Sequence, residues 1–228
     1  MNALFAAASA FFLLHMLPAA PLRKQLIGFA GEGPYLGAFS VLSVISIWWL
    51  SASFAAAPYG GKLWIVPAWW LWLKAALILF ALIFVAGGIL SANPSTPGGT
   101  TALDSRETGQ GIFAITRHPV MWGIAIWAVA HMISQATIRG FAFFGAFAAT
   151  ALIGSWLQQR RKRASLPAWP AFEAGTSFVP FAAILQGRAR LSIAAIGWCR
   201  PCIAGLAWAL ILHFHAMLFG APPLPIHS

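Results

Sequence analysis

Residues 67–91 read PAWWLWLKAALILFALIFVAGGILS, and this stretch decides the fold. It holds one charged residue, Lys74, in a run long enough to cross the ~30 Å hydrocarbon layer of a membrane as a helix. The whole chain has the same apolar character: 60% of its 228 residues are hydrophobic, 8% are charged, and the mean hydropathy is +0.79. So few charged side chains cannot cover a water-soluble domain of this size, and lipid must therefore be the solvent of the protein.

The same length criterion predicts about six membrane-spanning segments along the chain. They cover residues 3–20, 34–57, 67–91, 119–136, 140–158 and 193–219. Clusters of Pro and Gly separate them, as at 58–61 and 93–99. The first segment has no Lys or Arg ahead of it, which is unlike a cleaved signal peptide, so we count it as a helix. We predict an all-α, polytopic transmembrane helix bundle that forms a single domain over residues 1–228.

Basic residues predict the orientation of this bundle, because loops rich in Lys and Arg resist translocation. Most of them fall in the first, third and fifth loops: Arg23, Lys24, Arg106, Arg117, Arg160, Arg161, Lys162, Arg163, Arg188 and Arg190. The second and fourth loops carry only Lys62 and Arg139, which puts both termini in the periplasm. The net charge of +10 is therefore a topology signal and does not indicate nucleic-acid binding. Lys74 and Arg200 lie inside apolar segments near their ends, where we expect them to snorkel to the headgroups.

Histidine is the residue type through which this bundle could carry chemistry. Rings that lie within the apolar segments belong to His15, His131, His213 and His215. A single such ring is more often hydrogen-bonded to a neighbouring helix, but four in one small bundle favour a function. Two cysteines and four carboxylates match no zinc or carboxylate-bridged site. Haem, which is largely apolar and takes one axial histidine from each side, suits this composition better.

Helix geometry limits which histidines could share an iron. On a continuous helix His118 and His131 lie roughly 20 Å apart, and His213 and His215 point about 200° apart. A ligand pair must therefore come from two different helices. Arg117 and His118 precede Pro119, which is typical of a helix start, and the two side chains either anchor that start at the headgroups or belong to a site. The CxxC formed by Cys199 and Cys202 begins an apolar span and does not follow a β-strand, so we expect no redox role.

Six blocks of sequence point to a family. They are His15-Met16-Leu17-Pro18 with Pro21-Leu22-Arg23, Glu107-Thr108-Gly109, Ile115-Thr116-Arg117-His118-Pro119, Trp127-Ala128-Val129-Ala130-His131, residues 176–184 with Gly187-Arg188, and residues 215–220. In this order they resemble the NnrU family of bacterial membrane proteins and the related plastid and cyanobacterial zeta-carotene isomerases.

The resemblance implies a haem b cofactor whose iron is bound by His15 and His131. These two residues differ by about 10 Å in depth along the predicted topology. If that difference prevents joint binding, the alternative pairs are His118 with His15, or His215 with His131. Arg117 lies at the cytoplasmic boundary, and we expect it to contact a haem propionate.

For function, the resemblance implies a haem-binding protein of the bacterial inner membrane that supports nitrite and nitric oxide metabolism or reductase maturation. The first alternative is a haem-dependent cis-trans isomerase of zeta-carotene or a similar apolar polyene, with Trp122, Trp127 and Phe181 as possible lining residues. Where the isomerases have a Cys, this chain has Ala128, so ligand exchange by that thiol is absent. The lesser alternative is a methyltransferase, because residues 111–123 also resemble the S-adenosylmethionine-binding block of isoprenylcysteine carboxyl methyltransferases. No residue is assigned as catalytic.

Overall fold

The computed structural model describes residues 1–95, 99–104 and 109–225, and all regular secondary structure within them is helical. In chain order the α-helices are α1 (Asn2–Met16), α2 (Leu22–Ala30), α3 (Glu32–Ala56), α4 (Ala68–Ile89), α5 (Ile112–Ile115), α6 (Pro119–Gln135), α7 (Ile138–Ser165), α8 (Trp169–Gly175), α9 (Ala182–Leu185), α10 (Ile193–Ile196) and α11 (Cys199–Phe219). Short 3-10 helices cover Leu17–Ala19 and Gly99–Asp104. The predicted all-α class is confirmed for the described residues.

Five of the described helices are long and apolar enough to cross a membrane: α1 with the turn after it, α3, α4, α7 and α11. The fourth predicted segment is α6, whose 17 residues stand at the lower end of the length range for a spanning helix. It packs between α4 and α7, inside the bundle. The count of six spans and the placement of both termini in the periplasm remain predictions.

Two predicted segments differ from the helices in their bounds. Helix α7 continues to Ser165, so the basic run at 160–163 is helical and not part of a loop. Apolarity marks where a helix leaves the lipid, whereas Arg and Lys are good helix formers that let the same helix continue into water. The last segment is interrupted at Gly197, whose φ of +75° separates α10 from α11.

The long helices pack side by side in the order α3, α1, α7, α6, α4, α11. Helix α1 runs parallel to α7, with Phe11 against Phe147 and Met16 near Gly154. The other neighbours run antiparallel. We call the end of the bundle that holds Met16, Leu90 and Pro119 the inner end, and the end that holds Ala57, Pro67 and Gln135 the outer end.

Small residues allow α4 and α6 to approach closely. A Cβ at Gly123 of α6 would lie 2.7 Å from the carbonyl oxygen of Ala81 and 2.7 Å from a methyl group of Val85. One turn further in, a Cβ at Gly88 of α4 would lie 2.6 Å from Val120. Close packing of this kind holds helices together where lipid removes the hydrophobic driving force.

The short helices α5, α8 and α9 close the inner end of the bundle. Phe84 of α4 packs there with Ile112, Phe113, Trp169 and Phe172 in one buried cluster. The same end receives the loop that carries Arg117 and His118, and its backbone is fixed by hydrogen bonds from Arg117 N to Ser177 O and from Phe181 N to Ile115 O. This packing positions the buried side chains of Arg117 and His118.

Candidate functional site

Three intramembrane imidazoles share one hydrogen-bonding arrangement. The Nδ1 atoms of His15, His131 and His215 lie 2.7, 2.9 and 2.7 Å from the carbonyl oxygens of Phe11, Trp127 and Ala221. A carbonyl oxygen only accepts, so Nδ1 of each ring carries the proton and donates it. Nε2 of each ring therefore holds its lone pair, and among the described residues it makes no hydrogen bond. This is the tautomer in which a histidine can bind a metal through Nε2.

His131 stands in an aromatic pocket between α6 and α7. Its ring is stacked on Phe144 at 5.3 Å between centroids and lies 5.4 Å from the Trp127 ring. Packing on two sides fixes the direction of the ring, and the carbonyl of Trp127 fixes its rotation. A histidine that binds a metal needs a ring of fixed orientation and tautomer, and the His131 ring has both.

His15 lies at the inner end of α1, against α3. Its ring is 4.3 Å from Phe11 and 5.7 Å, edge to face, from Phe39. One turn further along α3, Tyr35 lies beneath the guanidinium of Arg23. His15 therefore faces a basic inner surface, while His131 lies toward the outer end.

The structure does not bring His15 and His131 together. Helices α1 and α6 both pack against α7, and among the described residues a series of ring contacts through Phe11, Phe147 and Trp127 links the two imidazoles. Along α7, His15 is level with Ala151 and His131 with Phe144, a depth difference of about 10 Å. Axial ligands of one iron face opposite sides of the same porphyrin, and joint binding of one haem by these two rings stays a prediction.

Three polar side chains lie toward the outer end of the bundle. Lys74 of α4 and His215 of α11 both interact electrostatically with His131 of α6. We call these three residues the outer cluster. Because α4 lies between α6 and α11, three neighbouring helices contribute one side chain each. The cluster contains the predicted ligands His131 and His215, whose helices α6 and α11 both pack against α4.

His118 and Arg117 lie at the inner end and are buried, not exposed at the headgroups. The His118 ring is 1% exposed and packs edge to face on Phe178. Neither of its nitrogens meets hydrogen-bond geometry with a described residue, but the Gln159 side chain lies close enough to favour the protonated ring. Burial, together with the charges of Arg117 and Lys162, lowers the pKa of His118 to about 3. The ring is therefore neutral at physiological pH, and we find no second imidazole beside it in the described part of the chain.

Arg117 is held by the protein itself. Its guanidinium donates to the Glu173 carboxylate at 2.7 Å and to the carbonyl oxygen of Thr176 at 2.9 Å. Burial lowers the pKa of Arg117, and the charge of Glu173 opposes that effect. The predicted contact with a haem propionate would have to compete with these bonds, and it stays a prediction.

The residue that sequence reasoning missed is Lys74. We expected it to snorkel, but its side chain is buried, and only 8% of the residue is exposed. Residues seven apart share a helix face, and the small residues Ala81 and Gly88 continue from Lys74 along the face that contacts α6. That pattern could have placed Lys74 in the helix interface. Arg200, the other basic residue expected to snorkel, donates to the carbonyl of Ile196 at 2.7 Å.

The remaining predicted residues take structural positions or fall outside the description. Trp122 donates to the carbonyl oxygen of Phe178, and the ring of Phe181 stacks on Phe80. Cys199 and Cys202 are exposed thiols at the start of α11. Glu107 and Thr108 lie outside the described residues. Within the described ranges, no group of three or more His, Cys, Asp or Glu side chains is arranged to hold a metal ion.

The fold and these side chains define a multi-pass α-helical membrane protein with polar groups at both ends of its bundle. Comparison with known families then identifies it more closely. The NnrU protein family matches residues 3–223, and the chain belongs to that family.

One curated relative gives a second comparison. The chain is 37% identical over 82 residues to the 15-cis-zeta-carotene isomerase, chloroplastic, of Zea mays, which covers 36% of this chain and 22% of the maize protein. The matched region is thus about a fifth of the length of that relative. No solved structure matches the chain.

Proposed function

We propose that this NnrU protein binds haem b in the bacterial inner membrane, with His131 as an axial ligand. The observation that carries the proposal is the shared state of the three imidazoles, in which a backbone carbonyl holds Nδ1–H and leaves the Nε2 lone pair for iron. The aromatic walls around His131 suit a flat apolar macrocycle. Bound haem would supply an iron centre for ligand binding or electron donation.

The second ligand has two candidates. The family resemblance implies His15, whose helix α1 packs on α7 beside α6, and the other candidate is His215, whose helix α11 packs on α4 beside α6. His131 is common to both pairs. The role of the protein residues is to hold each ring in one orientation and to keep water from it through the surrounding rings of Phe and Trp.

Haem uptake by purified variants tests this proposal. We expect the wild-type protein, made with haem precursor supplied, to show a Soret band and a bound haem in a pyridine haemochromogen assay. His131→Gly should lose most of that haem and recover it when imidazole is added to fill the place of the side chain. His213→Gly is the matched control, because His213 is exposed on the same helix as His215.

The same series identifies the second ligand. A changed Soret maximum in His215→Gly but not in His15→Gly would select the pair His131 and His215, and the reverse result would select His15. If the wild-type protein takes up no haem when haem is supplied, or if all three variants keep its spectrum, the proposal is wrong.

Two physiological roles follow for such a protein. Support of nitrite and nitric oxide metabolism rests on the resemblance to the NnrU branch, and slower nitrite or nitric oxide consumption in a deletion strain would support it. Cis-trans isomerisation of a polyene is favoured by the likeness to the maize enzyme and by the continuous rings of Phe11, Phe147 and Trp127.

A carotenoid-producing host that lacks its own isomerase separates these roles. Conversion of 15-cis-zeta-carotene by the wild-type chain, and its loss in His131→Gly, would select the isomerase. Unchanged isomer ratios would reject it, and Ala128 gives a reason for that result, since no thiol is available there to exchange with a ligand. Retention of S-adenosylmethionine during purification would instead favour the methyltransferase alternative.

A further inference from the structure

Lys74 is a buried basic residue in a membrane helix. It lies in α4 with 8% of its surface exposed. On the neighbouring turn toward the outer end, Trp70 donates to the hydroxyl of Ser134 at 2.9 Å. Toward the inner end, Ala81 faces Gly123. These two contacts fix the register of α4 on α6 and place Lys74 level with Ala130 and His131.

Lys74 has no counterion among the described residues. It makes no hydrogen bond or ion pair there, and its electrostatic interaction is with His131, which is not acidic. The two acidic side chains that the structure describes, Glu32 and Glu173, belong to the inner end of the bundle. A lone ammonium group in an apolar interior is strongly disfavoured, so the amine either loses its proton or is accompanied by an anion, and a bound anion favours the charged form.

We propose that Lys74 binds the carboxylate of a large apolar ligand that occupies the outer cluster. One ammonium group balances one negative charge, so a monovalent carboxylate suits Lys74 better than a phosphate dianion. Lys74 lies one helical turn, or about 6 Å, beyond Trp70 along α4. The tryptophans at the start of α4 mark the membrane interface, and the acid group of a lipophilic molecule lies near that interface. The apolar body then extends past His131 toward the bundle interior.

Two ligands offer this chemistry. The first is a haem propionate, in which case the inference rests on the proposed function and adds Lys74 to the haem site. The second is a free lipophilic carboxylic acid that enters from the bilayer, which does not require haem. Leu73 and Trp72, which flank Lys74 toward lipid, are exposed and leave this side of α4 uncovered.

The binding of haemin, compared with that of its dimethyl ester, tests the first ligand. We expect the wild-type protein in detergent to bind haemin about tenfold more tightly than haemin dimethyl ester, which lacks both carboxylates. Lys74→Met keeps most of the length of the side chain and removes its charge, so this variant should bind the two compounds equally. Lys62→Met, in the exposed loop before α4, is the matched control and should keep the wild-type preference. The comparison of haemin with its ester in the wild type needs no variant, so misfolding of Lys74→Met would not prevent the test.

A fluorescent polyene carboxylic acid, compared with its methyl ester, tests the second source. If haemin and its ester bind the wild type equally, and the acid binds no better than its methyl ester, the inference is overturned. If no haem binds but the acid binds in a Lys74-dependent way, the haem proposal fails while the carboxylate site stands. If haem binds equally with and without its carboxylates while the acid depends on Lys74, the site serves a separate ligand.

Discussion

The carboxylate of Glu173 accepts a hydrogen bond of 2.7 Å from the guanidinium of Arg117, and the two side chains are only 9% and 8% exposed. The second oxygen of Glu173 accepts from Arg163 of α7 at 2.6 Å. Arg117 precedes α6, and Glu173 belongs to α8, so one carboxylate joins three segments at the inner end. A buried charge that loses its partner is costly, whereas an exposed pair contributes little.

We therefore expect Glu173→Gln to destabilise the protein by about 3 kcal/mol, because Arg117 would be left buried without its counterion. The matched control is Glu32→Gln, which removes the exposed pair with Arg23 and should cost less than about 1 kcal/mol. Thermal unfolding in detergent measures both. Equal losses in the two variants would contradict the structural role of Glu173.

His118 gives the inner end a pH dependence. Its pKa is lowered from 6.5 to about 3 in the folded protein, so the folded state binds fewer protons than the unfolded state below about pH 6.5. Stability should therefore fall as the pH decreases from about 6.5 toward 3, and the loss from this one group should reach about 2 kcal/mol near pH 5.

His118→Gln tests this expectation, since glutamine is polar and does not titrate. Between pH 7 and 5 the wild-type unfolding temperature should fall more steeply than that of the variant, whereas His213→Gln should follow the wild type. Parallel curves for the wild type and His118→Gln would show that another group causes the acid sensitivity.

The sequence predicts where the membrane helices begin and end, but it does not predict that Lys74 is buried between them. Length and apolarity locate helices because lipid imposes both, and α3 and α4 begin and end within two residues of their predicted bounds. A helix that is apolar on all sides gives no sign of which face meets its neighbour. The burial of Lys74 and the packing of both α1 and α6 against α7 depend on helix order, which hydropathy alone does not encode.

Gly123 tests the close contact between α4 and α6. Its missing Cβ would lie 2.7 Å from Ala81 O, a backbone atom that cannot move aside without shifting the helix. We expect Gly123→Ala to destabilise the protein by about 1–3 kcal/mol through overpacking. Gly205→Ala in α11 is the control, because no atom outside its own helix lies within 4 Å of the new Cβ. Since Ala favours helix more than Gly does, that control should be neutral or slightly stabilising.

The orientation of the bundle can be tested with its own cysteines. Cys199 and Cys202 are exposed at the start of α11, at the inner end, which the distribution of Lys and Arg assigns to the cytoplasm. A membrane-impermeant maleimide should therefore label them only after the cells are permeabilised. In a Cys199→Ser, Cys202→Ser background, Lys62→Cys in the exposed outer loop should be labelled in intact cells. The native cysteines and position 62 lie at opposite ends of the bundle. The reverse labelling pattern would therefore show that the bundle has the opposite orientation in the membrane. Lys74 and the outer cluster would then lie near the cytoplasmic leaflet.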